Sequence, residues 1–273
     1  VPALAMKGIC IVVTPLIALM KDQVENLKKR DISAAAIFSG LTSRDILLTL
    51  DNAVLGAYRF LYVSPERLAT ELFITKVKQM DVSLIAVDES HCISQWGYDF
   101  RPAYLKIADI RRYMPQTPVL ALTATATPDV VDDIQEKLLF KEKNVFRKSF
   151  HRSNLAYVIR SVEDKNGQLL KILNSVPGSS VVYVRNRKKT KEIADWLNDN
   201  GISAEYFHAG LSNAIKDNRQ ANWKSDKTRV IVSTNAFGMG IDKADVRTVV
   251  HLDLPDSLEA YFQEAGRAGR DGV

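Results

Sequence analysis

Short apolar runs alternate along the chain with longer stretches in which apolar residues return every three or four positions. The runs Ile9 to Val13, Phe60 to Val63, Leu84 to Val87, Val119 to Leu122, Val181 to Val184, Ala204 to Phe207, Val230 to Ser233 and Val249 to Leu252 are continuous rather than alternating. That is the pattern of strands covered on both faces. Between them Ile17 to Arg30, Pro128 to Phe140, Lys188 to Asn198 and Ser257 to Arg267 carry the helical period. Strands separated by helical crossovers predict an α/β protein with parallel sheets flanked by helices.

Each run ends in polar residues: Thr14-Pro15, Ser64-Pro65-Glu66, Asp88-Glu89 and Thr123-Ala124-Thr125 in the first half, Arg185-Asn186-Arg187, His208-Ala209-Gly210 and Thr234 in the second. In an open parallel sheet, ligands sit beyond the carboxyl ends of the strands. Turns are polar in any case, and it is the repetition in both halves that points to binding surfaces. A charged stretch, residues 141–152, breaks the pattern before a strand-like segment, Ala156 to Arg160. It predicts two units, 1–148 and 149–273, which suits a length of 273 residues.

With 46% hydrophobic and 25% charged residues, the composition is that of folded globular chains and excludes disordered, collagen-like and disulfide-scaffold classes. A formal charge of +5 permits a polyanionic partner without requiring one. Two cysteines, Cys10 and Cys92, are too few for a structural zinc site and are expected as free thiols, with no zinc in this chain. The apolar opening is interrupted by Lys7, Gly8 and Pro15, so a buried strand, a turn and a helix are expected there, and no membrane association.

The stretch VSLIAVDESH delivers two adjacent carboxylates at the end of a buried strand. Such a pair suits nucleotide hydrolysis: Asp88 to hold Mg²⁺, usually through water, and Glu89 to polarise the attacking water. Directly afterwards SQWGYDFRP interleaves Trp96, Tyr98 and Phe100 with Gly97, Asp99 and Arg101. Aromatic faces stack on unpaired bases and Arg adds charge; core packing is the competing account for Trp96 and Phe100. Near the end, Gln263, Arg267 and Arg270 recur on one helical face, unless Gly266 and Gly269 turn the segment into a loop.

Taken whole, AVDESHCISQWGYDFRPAY resembles the DExH box and aromatic-rich loop of the RecQ family of superfamily 2 DNA helicases. VVTPLIALMKDQV, SPERL, LTATAT, STNAFGMGIDKADVRTVVHLDLP and QEAGRAGRDG resemble further motifs of that family in the family's order, so the resemblance spans nearly the whole chain. It implies two RecA-like domains, ATP and Mg²⁺ as cofactors, and coupling of ATP hydrolysis to movement along single-stranded DNA, 3′ to 5′, with unwinding of forked DNA. Glu89, Gln263, Arg267 and Arg270 are then the catalytic set, Arg270 being the stronger arginine finger. Asp88, Gly240, Asp242, Arg267 and Arg270 would hold the nucleotide. Thr14, Pro15, Lys21, Arg67, Trp96, Phe100, Arg101, Asn186, Arg187, His208 and Thr234 would contact DNA, and Ser94, Gln95, Trp96, Thr123 and Thr125 would couple the two.

No stretch of the form GxxxxGK followed by Ser or Thr occurs in these residues. In the family that loop lies just upstream of the opening VPAL, so a truncated first domain is expected, and with it little ATPase from this chain alone. An RNA helicase of DEAH or DEAD type and an inert nucleic-acid-binding scaffold are the alternatives. A monomer is expected, in the bacterial cytoplasm near the nucleoid or, in a eukaryote, in the nucleus.

Overall fold

The computed structural model describes residues 2–97, 99–149, 151–237 and 243–273. The chain divides into two compact units, Val1–Phe146 and Arg147–Val273, with the division inside the charged 141–152 stretch.

In the first unit the elements run α1 (Pro2–Ala5), β1 (Ile9–Val13), α2 (Ile17–Lys28), β2 (Ala34–Ile37), α3 (Ser43–Val54), β3 (Phe60–Val63), α4 (Glu71–Val77), β4 (Val82–Val87), α5 (Ile107–Arg111), β5 (Val119–Ala121) and α6 (Pro128–Lys137). The five strands form one parallel sheet in the order β2-β3-β1-β4-β5. Successive residues of β1 serve opposite faces, which is why the run is apolar throughout. Ile9, Ile11 and Val13 join the larger core with Leu61, Ile85 and Val87, while Cys10 packs on the other side with Leu84 and Ala86.

The second unit runs α7 (Lys165–Ser175), β6 (Ser179–Tyr183), α8 (Arg187–Asp199), β7 (Ala204–Phe207), α9 (Asn213–Lys224), β8 (Val230–Ser233), β9 (Val246–His251) and α10 (Leu258–Ala265). Its four parallel strands lie in the order β7-β8-β6-β9. Here Val182 faces one core with Val232 and Leu197, and Val181 and Tyr183 face the other with Phe207, Trp223 and Phe237. Both sheets are parallel, as the alternation of runs predicts, and helices lie between successive strands except β8 and β9, between which no helix occurs among the described residues.

Helix starts are fixed by side chains that the sequence places correctly. Thr42, Thr127, Asn186, Ser212 and Ser257 each accept a main-chain N–H from the first turn of α3, α6, α8, α9 and α10, and Pro128 opens α6 where its missing N–H costs nothing.

Two expectations differ. Ala156 to Arg160 is not a strand: it joins no ladder, and Val158 and Ile159 stand exposed. An apolar run alone does not make a strand without a neighbour to satisfy its backbone. Conversely β2, with the sequence AAAI, carries three alanines and almost no strand signal, yet pairs along its length with β3.

Candidate active site and strand-binding surface

In the first unit, β1 and β4 are neighbours, and the residues just past their carboxyl ends meet. The main-chain N–H of Asp88 donates to the Val13 carbonyl at 2.9 Å. The Asp88 carboxylate accepts from the Glu89 N–H at 3.0 Å and from the Thr14 hydroxyl at 3.5 Å. Burial pushes the Asp88 carboxyl up from its ordinary range, and those two donors pull it partly back. Its main-chain carbonyl accepts the hydroxyl of the fully buried Tyr104 at 2.9 Å. Thr14 is itself fully buried, which makes it a partner of this carboxylate rather than an exposed contact.

Glu89 has φ of 48°, in the left-handed region that non-glycine residues rarely occupy. That kink turns the chain into a tight helical turn over Ser90–Ile93 and leaves the carboxylate side chain 15% exposed. Its Oε2 lies 3.5 Å from Nδ1 of His91, and the same nitrogen lies 3.0 Å from Oγ1 of Thr123, just past β5. The Thr123 hydroxyl donates to the Thr125 carbonyl at 3.0 Å. It therefore accepts from His91, which assigns the imidazole proton to Nδ1. Burial lowers the His91 pKa to about 4, so the ring is neutral near neutral pH. Beside it Cys92 is buried, and desolvation first, then Asp99, raise its thiol to about 12.

The turn runs directly into the aromatic loop. Ser94 is fully buried, Gln95 is exposed and Trp96 is 77% exposed. Phe100 and Arg101 are half-buried, with the Arg101 guanidinium on the Asp99 carboxylate at 2.9 Å. Tyr98 lies outside the described residues. The core-packing account of Trp96 fails on its exposure, whereas Phe100 remains partly covered. A Cβ on Gly97 would lie 2.6 Å from the His91 carbonyl, so the loop folds back on the turn only because position 97 has none. Elsewhere on this unit Pro15 and Arg67 are half-buried, and Lys21 is exposed with its ammonium 5.1 Å from the Phe38 ring.

No group of three or more His, Cys, Asp or Glu side chains suited to a metal ion occurs among the described residues. Magnesium that keeps its waters and binds phosphate oxygens needs only one or two carboxylates, and Asp88 fits that requirement.

In the second unit, Asn186 and Arg187 are exposed at the start of α8, and His208 follows β7. The His208 ring stacks on Tyr206 at 5.8 Å, with the Arg219 guanidinium 3.7 Å from the Tyr206 centroid. Burial, then the nearby Arg187, Arg219 and Lys216, hold this imidazole below its ordinary pKa. Thr234 is buried at the end of β8. A cavity of about 310 Å³ opens beside it, lined by Tyr183, Asn235, Asp253 and the hydrogen-bonded pair His251 and Glu264, whose Nε2 and Oε2 are 2.8 Å apart.

α10 ends at Ala265, and the segment after it is turned, with Gly269 at φ of 57°, so the loop alternative for this motif holds. The two arginines part company there. Arg267 is 4% exposed and lies against Tyr183, while Arg270 is exposed; Gln263 on α10 is half-buried. Gly240 and Asp242 lie outside the described residues. Lys243, which follows them, is buried between Asp226 at 2.8 Å and Asp245 at 3.0 Å, a structural role.

Sequence reasoning missed His91 as the link between Glu89 and Thr123, and it missed Tyr104. The DESH spelling pointed to the first, but nothing in a lone Tyr pointed to the second.

Residues 2–134 match the family model described as DEAD/DEAH box helicase, and residues 164–272 match the helicase conserved C-terminal domain. The ATP-dependent DNA helicase RecQ of Bacillus subtilis is 42% identical over 100% of this chain and 46% of its own length. That of Haemophilus influenzae is 40% identical over 100% of this chain and 44% of its own. The chain thus spans less than half the length of these relatives. Among solved structures, the Mycobacterium smegmatis helicase Lhr bound to ssDNA and AMP-PNP superposes with a TM-score of 0.70 at 18% identity, over 96% of this chain and 38% of that one, a likeness of fold. Matched along its whole length by these relatives, the chain belongs to the RecQ family of superfamily 2 helicases.

Proposed function

We propose that the chain is the motor core of an ATP-dependent DNA helicase, residues 1–148 being the nucleotide-binding RecA-like domain and 149–273 the C-terminal one. The observation that carries this reading is the continuity of the Asp88–Glu89 turn with an exposed aromatic loop. Glu89, His91 and Thr123 are joined within 3.5 Å, and Trp96 stands in solvent a few residues on. Asp88 would hold Mg²⁺ and orient it on the nucleotide; the ion supplies charge neutralisation on the phosphates. Glu89 accepts the proton of the attacking water, with its carboxylate placed by the left-handed turn and the neutral His91. Arg270, exposed, offers a guanidinium to the charge that develops on the phosphoryl oxygens, and Arg267, buried, holds the segment that presents it.

Strand contacts fall to Trp96, by stacking, and to Lys21, Arg67, Asn186, Arg187 and His208, by their position beyond or beside the strand ends. Single-stranded and forked DNA are the proposed substrates, with movement 3′ to 5′. Among the described residues no helix is long and apolar enough to cross a membrane.

The test is Glu89→Gln in the full-length protein. DNA-stimulated ATP turnover collapses while single-stranded DNA affinity is retained. Loss of neither overturns the assignment of Glu89, and stronger stimulation by RNA than by DNA overturns the substrate.

A further inference from the structure

The root of the aromatic loop is held by Asp133, a residue outside every motif named above. Ser94 is fully buried, and its hydroxyl makes two committed bonds: it donates to Oδ2 of Asp133 at 2.7 Å and accepts the Trp96 main-chain N–H at 3.1 Å. Asp133 sits on α6, the helix that begins right after LTATAT. One turn later Lys137 places its ammonium 2.7 Å from the same Oδ2 and reaches the Ile93 carbonyl at 3.5 Å. The bonds from Lys137 and then Ser94 hold the Asp133 carboxyl below its ordinary pKa. With the bond from His91 to Thr123, the segment from 123 to 137 is tied to the hydrolytic turn at both ends. One tie is at the base of the helix, and the other is at the residue that sets where Trp96 points.

We propose that Asp133 is a positioning residue that couples strand binding to hydrolysis, by fixing the Ser94 hydroxyl and through it the direction of the loop at Trp96. This rests on the reading of Trp96 as a strand contact. The carboxylate leaves the Ser94 proton a single acceptor, so the hydroxyl lone pair is available to the Trp96 N–H. Displacement of Trp96 by a stacked base then pulls on α6 and, through Thr123 and His91, on Glu89. An uncharged group at 133 loses Lys137 and frees the hydroxyl to rotate, and the loop moves without carrying the helix with it.

The experiment compares Asp133→Asn, Ser94→Ala and their double variant in the full-length protein. It measures ATP turnover with and without saturating single-stranded DNA, DNA affinity by fluorescence anisotropy, and the thermal midpoint. Each single variant is expected to lose about tenfold in the ratio of stimulated to unstimulated turnover, the scale of one hydrogen bond to a charged group. The double variant should lose no more than either single one, because both act through one bond. DNA affinity should stay unchanged in Asp133→Asn, and the thermal midpoint should fall by no more than the loss of one hydrogen bond to a charged group entails. A preserved ratio overturns the proposal, as do multiplied losses in the double variant or an equal fall in both turnovers together with a lower midpoint. Trp96→Ala separates the two layers. If it leaves stimulation intact, the strand-contact reading falls and the proposal with it. If it abolishes stimulation while Asp133→Asn does not, the proposal alone falls.

Discussion

The hydroxyl of Tyr104 donates to the main-chain carbonyl of Asp88 at 2.9 Å, from a ring that is fully buried. It thereby pins the backbone at the strand end where the proposed metal-binding carboxylate begins. Tyr104→Phe keeps the packing and removes the bond. We expect a loss of about 1 to 2 kcal/mol in stability, since a buried carbonyl loses its donor. ATP turnover should fall as well, because Asp88 is no longer held in register. A urea titration of both forms checks the first part; an unchanged midpoint contradicts it.

His91 gives the protein a pH signature. Its folded pKa, about 4, lies below the ordinary 6.5, so the unfolded chain takes up a proton that the folded one refuses. The stability this group contributes is complete above pH 6.5 and is lost as pH falls from 6.5 toward 4. The full loss is on the order of 3 kcal/mol. Denaturant midpoints of the wild type and of His91→Gln, compared at about pH 7 and about pH 5, isolate this group from the other titrating side chains. The wild type should lose more on acidification. Parallel curves would show that His91 is not held neutral in the folded state.

Trp96 is 77% exposed and, among the described residues, held through its main-chain N–H on Ser94, so Trp96→Ala should leave the melting curve alone. It should weaken single-stranded DNA binding by roughly tenfold, the scale of one lost base stack. Gly97→Ala should do the reverse in part. Its Cβ meets the His91 carbonyl at 2.6 Å, so it should lower the melting temperature and, with the loop displaced, also disturb binding.

Arg267 and Arg270 should separate cleanly. Arg270→Ala is expected to abolish ATP turnover with no change in melting temperature, as befits an exposed side chain. Arg267→Ala removes a buried cation packed against Tyr183 and should lower the melting temperature along with turnover. If Arg270→Ala turns over ATP normally, the two roles are exchanged or absent.

Much of this arrangement is legible in the residues. Continuous apolar runs announce parallel strands because both faces of β1 and β6 are covered, and the polar residues after them mark the edge where a site belongs. The Asp88-Glu89 pair and the aromatic loop can be read directly, since their chemistry lies in consecutive residues. What cannot be read is set by packing across the chain. Asp133 meets Ser94 across 39 positions, and the i to i+4 spacing of Asp133 and Lys137 looks like any surface ion pair. Thr14 reads as a strand-end contact for DNA and lies buried against Asp88, because β1 and β4 are neighbours in the sheet though far apart in sequence. The split between Arg267 and Arg270 follows from where α10 stops, and two glycines leave that open in the sequence.

Cys10 and Cys92 are both buried, and burial lifts their thiols to about 11 and about 12. Neither offers a thiolate to an electrophile at neutral pH. Within these 273 residues a maleimide dye would therefore react at a single introduced site such as Gln95→Cys, so the aromatic loop can be followed in real time without first replacing Cys10 and Cys92.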